Sequence, residues 1–150
     1  MTTLLEEKDA IHETLANYCF YVDAGELDQW ANLFTEDATF DAGALAKCTG
    51  RATIQRFLAA ALRPWSTTMP PMKHCVMNEI ITVNGDEARA KSYIIVILAP
   101  GEGQLSIGLA GRYEDQLVKQ EGRWLFKTRT VHPDFLGDLG PLAGALAKGE

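Results

Sequence analysis

The sequence has few of the residues that build covalent cross-links or metal clusters. Its 150 residues include three histidines and three cysteines, Cys19, Cys48 and Cys75. The cysteines lie far apart, no CxxC pair occurs, and two of them fall in apolar stretches. This pattern indicates neither a disulfide framework nor a zinc site. We expect buried free thiols, which favours a reducing, cytoplasmic location.

An excess of positive charge and long apolar runs are also missing. The chain has 14 Lys and Arg residues against 20 Asp and Glu, for a net charge of −6, and its basic residues are scattered. Because a nucleic-acid partner needs a basic patch, we expect none. No apolar run reaches the roughly 18 residues that span a bilayer. The acidic N-terminus lacks the layout of a signal peptide, so no membrane association is expected.

The motifs of several large enzyme classes are absent too. The glycines at 101–103 and 108–111 do not open a helix, and no lysine-serine or lysine-threonine pair follows them, which excludes phosphate-binding loops. No GxSxG motif occurs, and no cysteine has an evident base partner, so hydrolases of those classes are excluded. The sequence implies neither a metal nor an organic cofactor.

Helical periodicity occupies the first half of the chain. Thr3 followed by Glu6 predicts a capping box, and the apolar stripe behind it predicts a helix that Gly25 ends. A short helix follows from Leu27, and a third is predicted over 50–63, before Pro64. Between these helices we predict a short strand up to residue 41 and a loop over 42–49.

From residue 73 onward the apolar pattern changes to a period of two. Strands are predicted at 73–83, 87–98, 104–119 and 123–132, with a hairpin at Asn84-Gly85 and a bulge or bend at Gly108 and Gly111. Helices followed by a meandering antiparallel sheet indicate a single α+β domain, with the helices packed on one face of a curved sheet.

Asp23 and His74 are the two candidates for chemistry. Asp23 ends the first helix, where a negative charge is unfavourable against the helix dipole. His74 opens an apolar strand. A carboxylate that orients an imidazole is a minimal arrangement for proton transfer at neutral pH. The residues alone leave plainer interpretations open, with Asp23 as a solvated helix end and His74 as a hydrogen-bonded core residue.

Several short motifs, in the right order, resemble the SnoaL-like proteins of the nuclear transport factor 2-like superfamily. They are Tyr-x4-Asp at 18–23, Leu-Phe-x2-Asp-Ala-x-Phe at 33–40, Gly-x3-Ile at 50–54 and Gly-x-Trp-x-Phe at 122–126. The resemblance implies a cone-shaped, curved antiparallel sheet with the N-terminal helices packed on its concave face. The domain would cover residues 1–132, and the Gly-, Leu- and Ala-rich segment 133–150 would be a C-terminal tail.

The resemblance also implies catalytic residues. The nearest enzymes by these motifs are scytalone dehydratase, bile acid 7α-dehydratase and hexachlorocyclohexane dehydrochlorinase, which use an aspartate–histidine pair for elimination. Asp23 and His74 match that pair by position, and Tyr18 matches the dehydratases' tyrosine. Arg129 matches the dehydrochlorinase's pocket arginine, which would clamp an anion or a carbonyl. Core packing of Tyr18 and a surface position for Arg129 are the alternatives.

We expect the rest of the pocket wall to be largely apolar and aromatic. The candidate substrate-binding residues are Phe40, Phe57, Met77, Tyr93 and His132. Ordinary core packing is the alternative for the first four, and a position at the strand end is the alternative for His132.

The functional hypothesis is a cofactor-independent lyase of the dehydratase type, acting on a hydrophobic cyclic or polyketide/steroid-like small molecule. An isomerase or polyketide cyclase in the same pocket, or a ligand-binding or accessory module without chemistry, stays open. Apolar residues alternate onto both faces of the predicted sheet. Another subunit or the tail would then cover the second face, so we expect a homo-oligomer, either a dimer or a trimer.

Overall fold

The structure, a computed structural model, describes residues 1–63, 72–101 and 103–139 of the chain. Within these ranges the elements are α1 (Leu4–Ala24), α2 (Leu27–Ala31), β1 (Phe34–Asp41), β2 (Lys47–Thr49), α3 (Arg51–Leu62), β3 (Met72–Asn84), β4 (Glu87–Gly101), β5 (Gln104–Gln120) and β6 (Arg123–Leu136). α1 packs against β3 and β6, and α3 packs against β1 and β2. The predicted α+β fold, with helices on a curved sheet, is confirmed.

The strands form one sheet in the order β2-β1-β6-β5-β4-β3. The neighbours from β3 to β6 are antiparallel, as expected for a meander. The sheet as a whole is mixed, because β1 runs parallel to β6, with Phe40 opposite Arg129. Parallel neighbours need a long connection, and here β2, α3, β3, β4 and β5 all lie between the two strands in the chain.

The segment 42–49, predicted as a loop, contains the short strand β2, which pairs antiparallel with β1. A tight turn joins the two strands, and Asp41 stabilises it. Its carboxylate accepts a hydrogen bond from the Gly43 backbone N–H at 2.9 Å and pairs with Lys47 at 3.1 Å. A strand of three residues is too short to show a periodicity, which is why the sequence did not indicate it.

α1 begins and ends as predicted. The Thr3 hydroxyl accepts from the Glu6 backbone N–H at 3.2 Å, and the Glu6 carboxylate accepts from the Thr3 N–H at 2.6 Å, completing a capping box. Gly25 ends the helix with φ 71°. The face toward the sheet buries the predicted stripe of Ile11, Leu15, Tyr18 and Val22.

Glu7 attaches the first turn of α1 to the sheet. Its carboxylate accepts hydrogen bonds from Lys119 Nζ and from Trp124 Nε1, each at 2.7 Å. Hydrogen bonding, first from Lys119 and then from Thr2 and Trp124, lowers the pKa of Glu7 to about 2. α1 is thereby held at its N-terminal end, far along the helix from Asp23.

A bulge in β3 changes which of its residues face the core. The pairing with β4 shifts between Met77 and Ile80, and Asn78 in between has φ 58°. Strict alternation from His74 would place Ile80 on the inner face. Instead Ile81 is buried, while Ile80 is 58% exposed.

A second bulge, in β6, determines the face of the sheet on which Arg129 lies. Phe126 lies opposite Leu117 and Thr128 lies opposite Gln116, so Lys127 is an extra residue. Strict alternation along β6 would place Arg129 and Phe126 on opposite faces, but both are fully buried on the inner face. A bulge inserts one unpaired residue and so exchanges the faces beyond it.

The bulges predicted at Gly108 and Gly111 are confirmed. The pairing of β5 shifts beside Gly108 on the β4 side and beside Gly111 on the β6 side. A Cβ on Gly111 would lie 2.1 Å from the His132 carbonyl oxygen, so no other residue fits there without displacing β6. β6 continues past the predicted strand end at 132, and the remainder of the predicted tail, 140–150, lies outside the described residues.

The three cysteines are free thiols, with Cys19 and Cys48 buried and Cys75 half-buried. In the parts of the chain that the structure describes, no helix is both long enough and apolar enough to cross a membrane.

Candidate active site

Asp23 and His74 meet through two hydrogen bonds. Asp23 Oδ1 lies 2.7 Å from His74 Nδ1, and Asp23 Oδ2 accepts from the His74 backbone N–H at 2.9 Å. That N–H is available because β3 is an edge strand of the sheet, against which α1 packs. Both side chains are largely buried, at 9% and 14% exposed. Asp23 is therefore not a solvated helix end.

The carboxylate fixes the tautomer of the imidazole. An ionised carboxylate only accepts hydrogen bonds, so the shared proton belongs to Nδ1, and Nε2 of the neutral ring keeps its lone pair. The second hydrogen bond, to the backbone of the same residue, holds the carboxylate against rotation. The pair has the form of a general base whose orienting group is bound at two points.

His74 lines a cavity between the helices and the inner face of the sheet, with a volume of about 120 Å³. The wall is mostly aliphatic and aromatic, with Val22, Phe40, Phe57, Leu58, Met72 and Val96 among its members. Among the described lining residues, side-chain polar atoms come from His74, Tyr18, Tyr113 and Trp30. The rings of Phe40 and Phe57 pack against each other in this wall, with their centroids 5.8 Å apart.

Three of the predicted pocket residues lie on the outer face of the sheet instead. Met77 pairs with Tyr93, Tyr93 with Arg112, and Arg112 with His132, which makes one row across β3 to β6. Tyr93 is 55% exposed, and His132 Nε2 lies 3.1 Å from Glu114 Oε2. The prediction of Met77, Tyr93 and His132 as cavity residues is wrong, because their neighbours along each strand are the ones that point inward.

Arg129 is fully buried but is not among the residues that line the cavity. Its Nε and Nη2 donate to the two carboxylate oxygens of Asp115 at 2.8 and 2.9 Å, and both side chains are 0% exposed. Asp115 is its cross-strand partner on β5. The predicted role of Arg129 as a direct clamp on the substrate is therefore corrected, since a protein carboxylate already occupies its planar fork.

The Arg129 guanidinium also packs against aromatic rings. Its Cζ lies 3.8 Å from the Tyr113 ring centroid, 4.1 Å from that of Tyr18 and 4.2 Å from that of Phe126. Burial by itself lowers the pKa of Arg129, but the charge and hydrogen bonds of Asp115 raise it above the ordinary arginine value. Arg129 is a permanent positive charge behind the two tyrosines that line the cavity.

Burial keeps both cavity tyrosines protonated. It raises the pKa of Tyr18 to about 12, although the positive charge of Arg129 opposes the shift. Burial also raises the pKa of Tyr113 well above its ordinary value, again against Arg129. At neutral pH each side chain is a neutral hydroxyl group that can donate a hydrogen bond.

Tyr113 and Asp115 are site residues that the sequence interpretation missed. The period-two pattern of β5 places them on one face with Leu117, and an aspartate on an otherwise apolar face indicates a buried partner. That signal was present. It was obscured because strict alternation along β6, without the bulge at Lys127, puts Arg129 on the face opposite to Asp115.

The model of the SnoaL-like domain family matches residues 3–130 of this chain. A search of curated proteins found no match to the chain. An aspartate-to-asparagine variant of Rv3472, a protein of unknown function from Mycobacterium tuberculosis, is 26% identical. It has a TM-score of 0.84, covering 96% of this chain and 94% of that one. A candidate scytalone dehydratase from Novosphingobium aromaticivorans is 27% identical, with a TM-score of 0.78 and coverages of 91% and 89%. An NTF2-like protein with a cystatin-like fold from the same organism is 24% identical, with a TM-score of 0.75 and coverages of 95% and 90%.

Proposed function

The chain belongs to the SnoaL-like domain family, and from that premise we propose that it is a cofactor-independent lyase of the dehydratase type. Members of this family are often enzymes. The observation that carries the proposal is the hydrogen-bonded Asp23–His74 pair at the wall of an apolar cavity. Burying an ionised carboxylate costs free energy even when it is paired, and an apolar binding module would gain nothing from that cost. A general base does gain from it, because the carboxylate orients the imidazole.

In the proposed reaction His74 Nε2 removes a proton from the carbon next to a substrate carbonyl. The electron pair of the broken C–H bond forms an enolate, and the Asp23 carboxylate stabilises the imidazolium. The enolate then expels the β-hydroxyl group, which leaves as water with the proton that His74 returns. The products are an unsaturated carbonyl compound and water. General acid–base catalysis of this kind contributes about 10²–10⁴-fold to the rate.

The cavity indicates a neutral, hydrophobic substrate. Among the described residues of the wall, His74 is the one acidic or basic side chain, and the Arg129 charge behind the wall is paired with the Asp115 carboxylate. A cation, or an anion placed away from the tyrosine hydroxyl groups, would lose its hydration there without gaining a compensating partner. A small apolar molecule with a few polar groups matches this lining.

Isomerisation is the second candidate, and one observation favours it. Within the described wall, His74 is the side chain with a basic nitrogen lone pair, while burial raises the pKa of both tyrosines. A single base suffices to move a proton from one carbon to another. In an elimination, the same histidine must also protonate the leaving group.

A simple cyclic substrate separates these functions. We expect the protein to convert β-hydroxycyclohexanone to cyclohexenone, measured as a rise in ultraviolet absorbance, and to exchange the α-hydrogens of cyclohexanone in heavy water, measured by NMR. The His74→Gln variant should do neither above the buffer rate. Exchange without elimination would favour the isomerase. Neither reaction in the wild-type protein would contradict acid–base catalysis and favour a binding module.

We also propose that a second copy of the chain covers the outer face of the sheet. Tyr93, Ile107 and Phe135 on or beside that face are 55%, 56% and 75% exposed. Phe135 lies opposite Ala110, and Ile107 lies opposite Ile97, so apolar side chains are contiguous across three strands. Exposed apolar surface of this kind usually marks an interaction site.

Light scattering after gel filtration tests the oligomer. The wild-type protein should elute as a dimer or a trimer, and Ile107→Lys should shift it to the monomer, because the interface would have to bury an unpaired charge. Leu5→Lys is the matched control, since Leu5 is 77% exposed on α1 and its replacement should leave the mass unchanged. A monomeric wild-type protein would contradict this proposal.

A further inference from the structure

We propose that Tyr113 is a second catalytic hydroxyl group. Together with Tyr18, it would donate a hydrogen bond to the carbonyl oxygen of a neutral substrate about the size of a single six-membered ring. This inference rests on the proposed function, because it supplies the oxygen-binding partner for the His74 base and names the substrate class.

Tyr113 occupies the same cavity wall as the base. It is 3% exposed and lines the cavity with Tyr18 and His74. The ring of Tyr18 stands edge-on between the other two, with its centroid 5.9 Å from Tyr113 and 6.5 Å from His74. Trp30, His74 and Tyr113 thus each neighbour Tyr18, and a substrate oxygen would meet the tyrosines while its neighbouring carbon faces the imidazole.

Tyr18 and Tyr113 are neighbours in the cavity wall. The rings of Tyr18 and Tyr113 pack edge to face with centroids 5.9 Å apart, and both side chains line the cavity. A phenol can donate only one hydrogen bond. When a substrate oxygen with a growing negative charge arrives, both hydroxyl groups can turn their protons toward it.

Arg129 makes these hydroxyl groups suited to an oxyanion. Asp115 binds Nε and Nη2, while Nη1 has no hydrogen-bond partner in the described part of the chain. The guanidinium lies about equally close to the rings of Tyr113 and Tyr18. A fixed positive charge behind two neutral donors stabilises negative charge that develops in front of them. Arg129 is thus a positioning and polarising residue that does not touch the substrate.

The cavity volume limits the substrate. An apolar cavity of about 150 Å³ in an engineered protein holds one benzene molecule. The cavity beside His74 measures about 120 Å³. It therefore suits one ring, and the expectation of a steroid-like or fused polyketide substrate narrows to a monocyclic carbonyl compound.

Binding of para-nitrophenolate tests this inference without turnover, because its ring fills a single-ring site and its oxyanion mimics an enolate. Tyr113→Phe removes the hydroxyl group and keeps the ring against Arg129. By calorimetry, we expect this variant to bind the probe about 10- to 100-fold more weakly than wild type, since a hydrogen bond to a charged oxygen is lost. Tyr93→Phe makes the same change on the outer face and should leave the affinity unaltered.

A two-ring nitronaphtholate probe tests the size limit, and we expect it to bind the wild-type protein at least about 10-fold more weakly than para-nitrophenolate. Equal affinity of Tyr113→Phe and wild type for para-nitrophenolate, or no binding to either, would overturn the role of Tyr113. Tighter binding of the two-ring probe would overturn the substrate class. These two binding results are independent of the test of the proposed function. That test compares α-hydrogen exchange in the wild-type protein and in the His74→Gln variant.

Discussion

Asp23→Asn is expected to lower the rate of α-hydrogen exchange at cyclohexanone by about 10²–10⁴-fold. The amide of asparagine can donate to Nδ1 of His74, which would move the ring proton to Nε2 and remove the lone pair that acts as the base. The hydrogen bond to the backbone N–H can persist through the amide oxygen, so the local fold should be kept. Initial rates measured by NMR in heavy water give the comparison directly.

Asp9→Asn is the matched control for this change. Asp9 lies on the exposed side of the same helix, α1, so the variant removes one carboxylate without touching the imidazole. Its exchange rate should equal that of the wild-type protein. Equal rates in Asp23→Asn and Asp9→Asn would show that the carboxylate does not orient the base.

Arg129→Met is expected to reduce the free energy of unfolding by about 3–5 kcal/mol, because it leaves the Asp115 carboxylate buried without its partner. Both side chains are 0% exposed, so water cannot solvate the remaining charge. The three aromatic rings around the guanidinium would also lose a cation–π contact. Urea denaturation followed by circular dichroism measures the loss.

Two further variants interpret that result. Arg129→Met combined with Asp115→Leu replaces the whole pair by apolar side chains and should recover much of the stability. Arg112→Met breaks the surface pair with Asp134, whose side chains are 44% and 37% exposed, and should change stability little. If Arg129→Met were no more destabilising than Arg112→Met, the buried pair would not hold the inner face of the sheet together.

Local sequence signals predicted the helices well. The capping box at Thr3 and the left-handed Gly25 bound α1, and short-range chemistry determines both. The pairing of Asp23 with His74 was predicted from the family resemblance. The two residues lie 51 positions apart, so no local sequence signal joins them. The structure brings them together through the packing of α1 on an edge strand.

The inner and outer faces of the sheet were less predictable. Ile95 and Ile97 belong to the outer side of β4, so an apolar residue does not identify the inner face. The bulges at Asn78 and Lys127 each add one residue and exchange the two faces of the strand beyond it. Neither residue is a glycine, so the sequence gives no signal of a bulge at these positions. For these two reasons the prediction of Tyr93 as a cavity residue is wrong. For the same reasons the sequence does not predict the ion pair between Arg129 and Asp115.

The protonation state of His74 tests the central claim most directly. Nitrogen NMR of the labelled protein at neutral pH distinguishes the two ring nitrogens. We predict a proton on Nδ1, hydrogen-bonded to Asp23, and a free lone pair on Nε2, with the reverse arrangement in Asp23→Asn. A wild-type imidazole that carries its proton on Nε2 would contradict the account, because the group facing the cavity would then be a donor and no base.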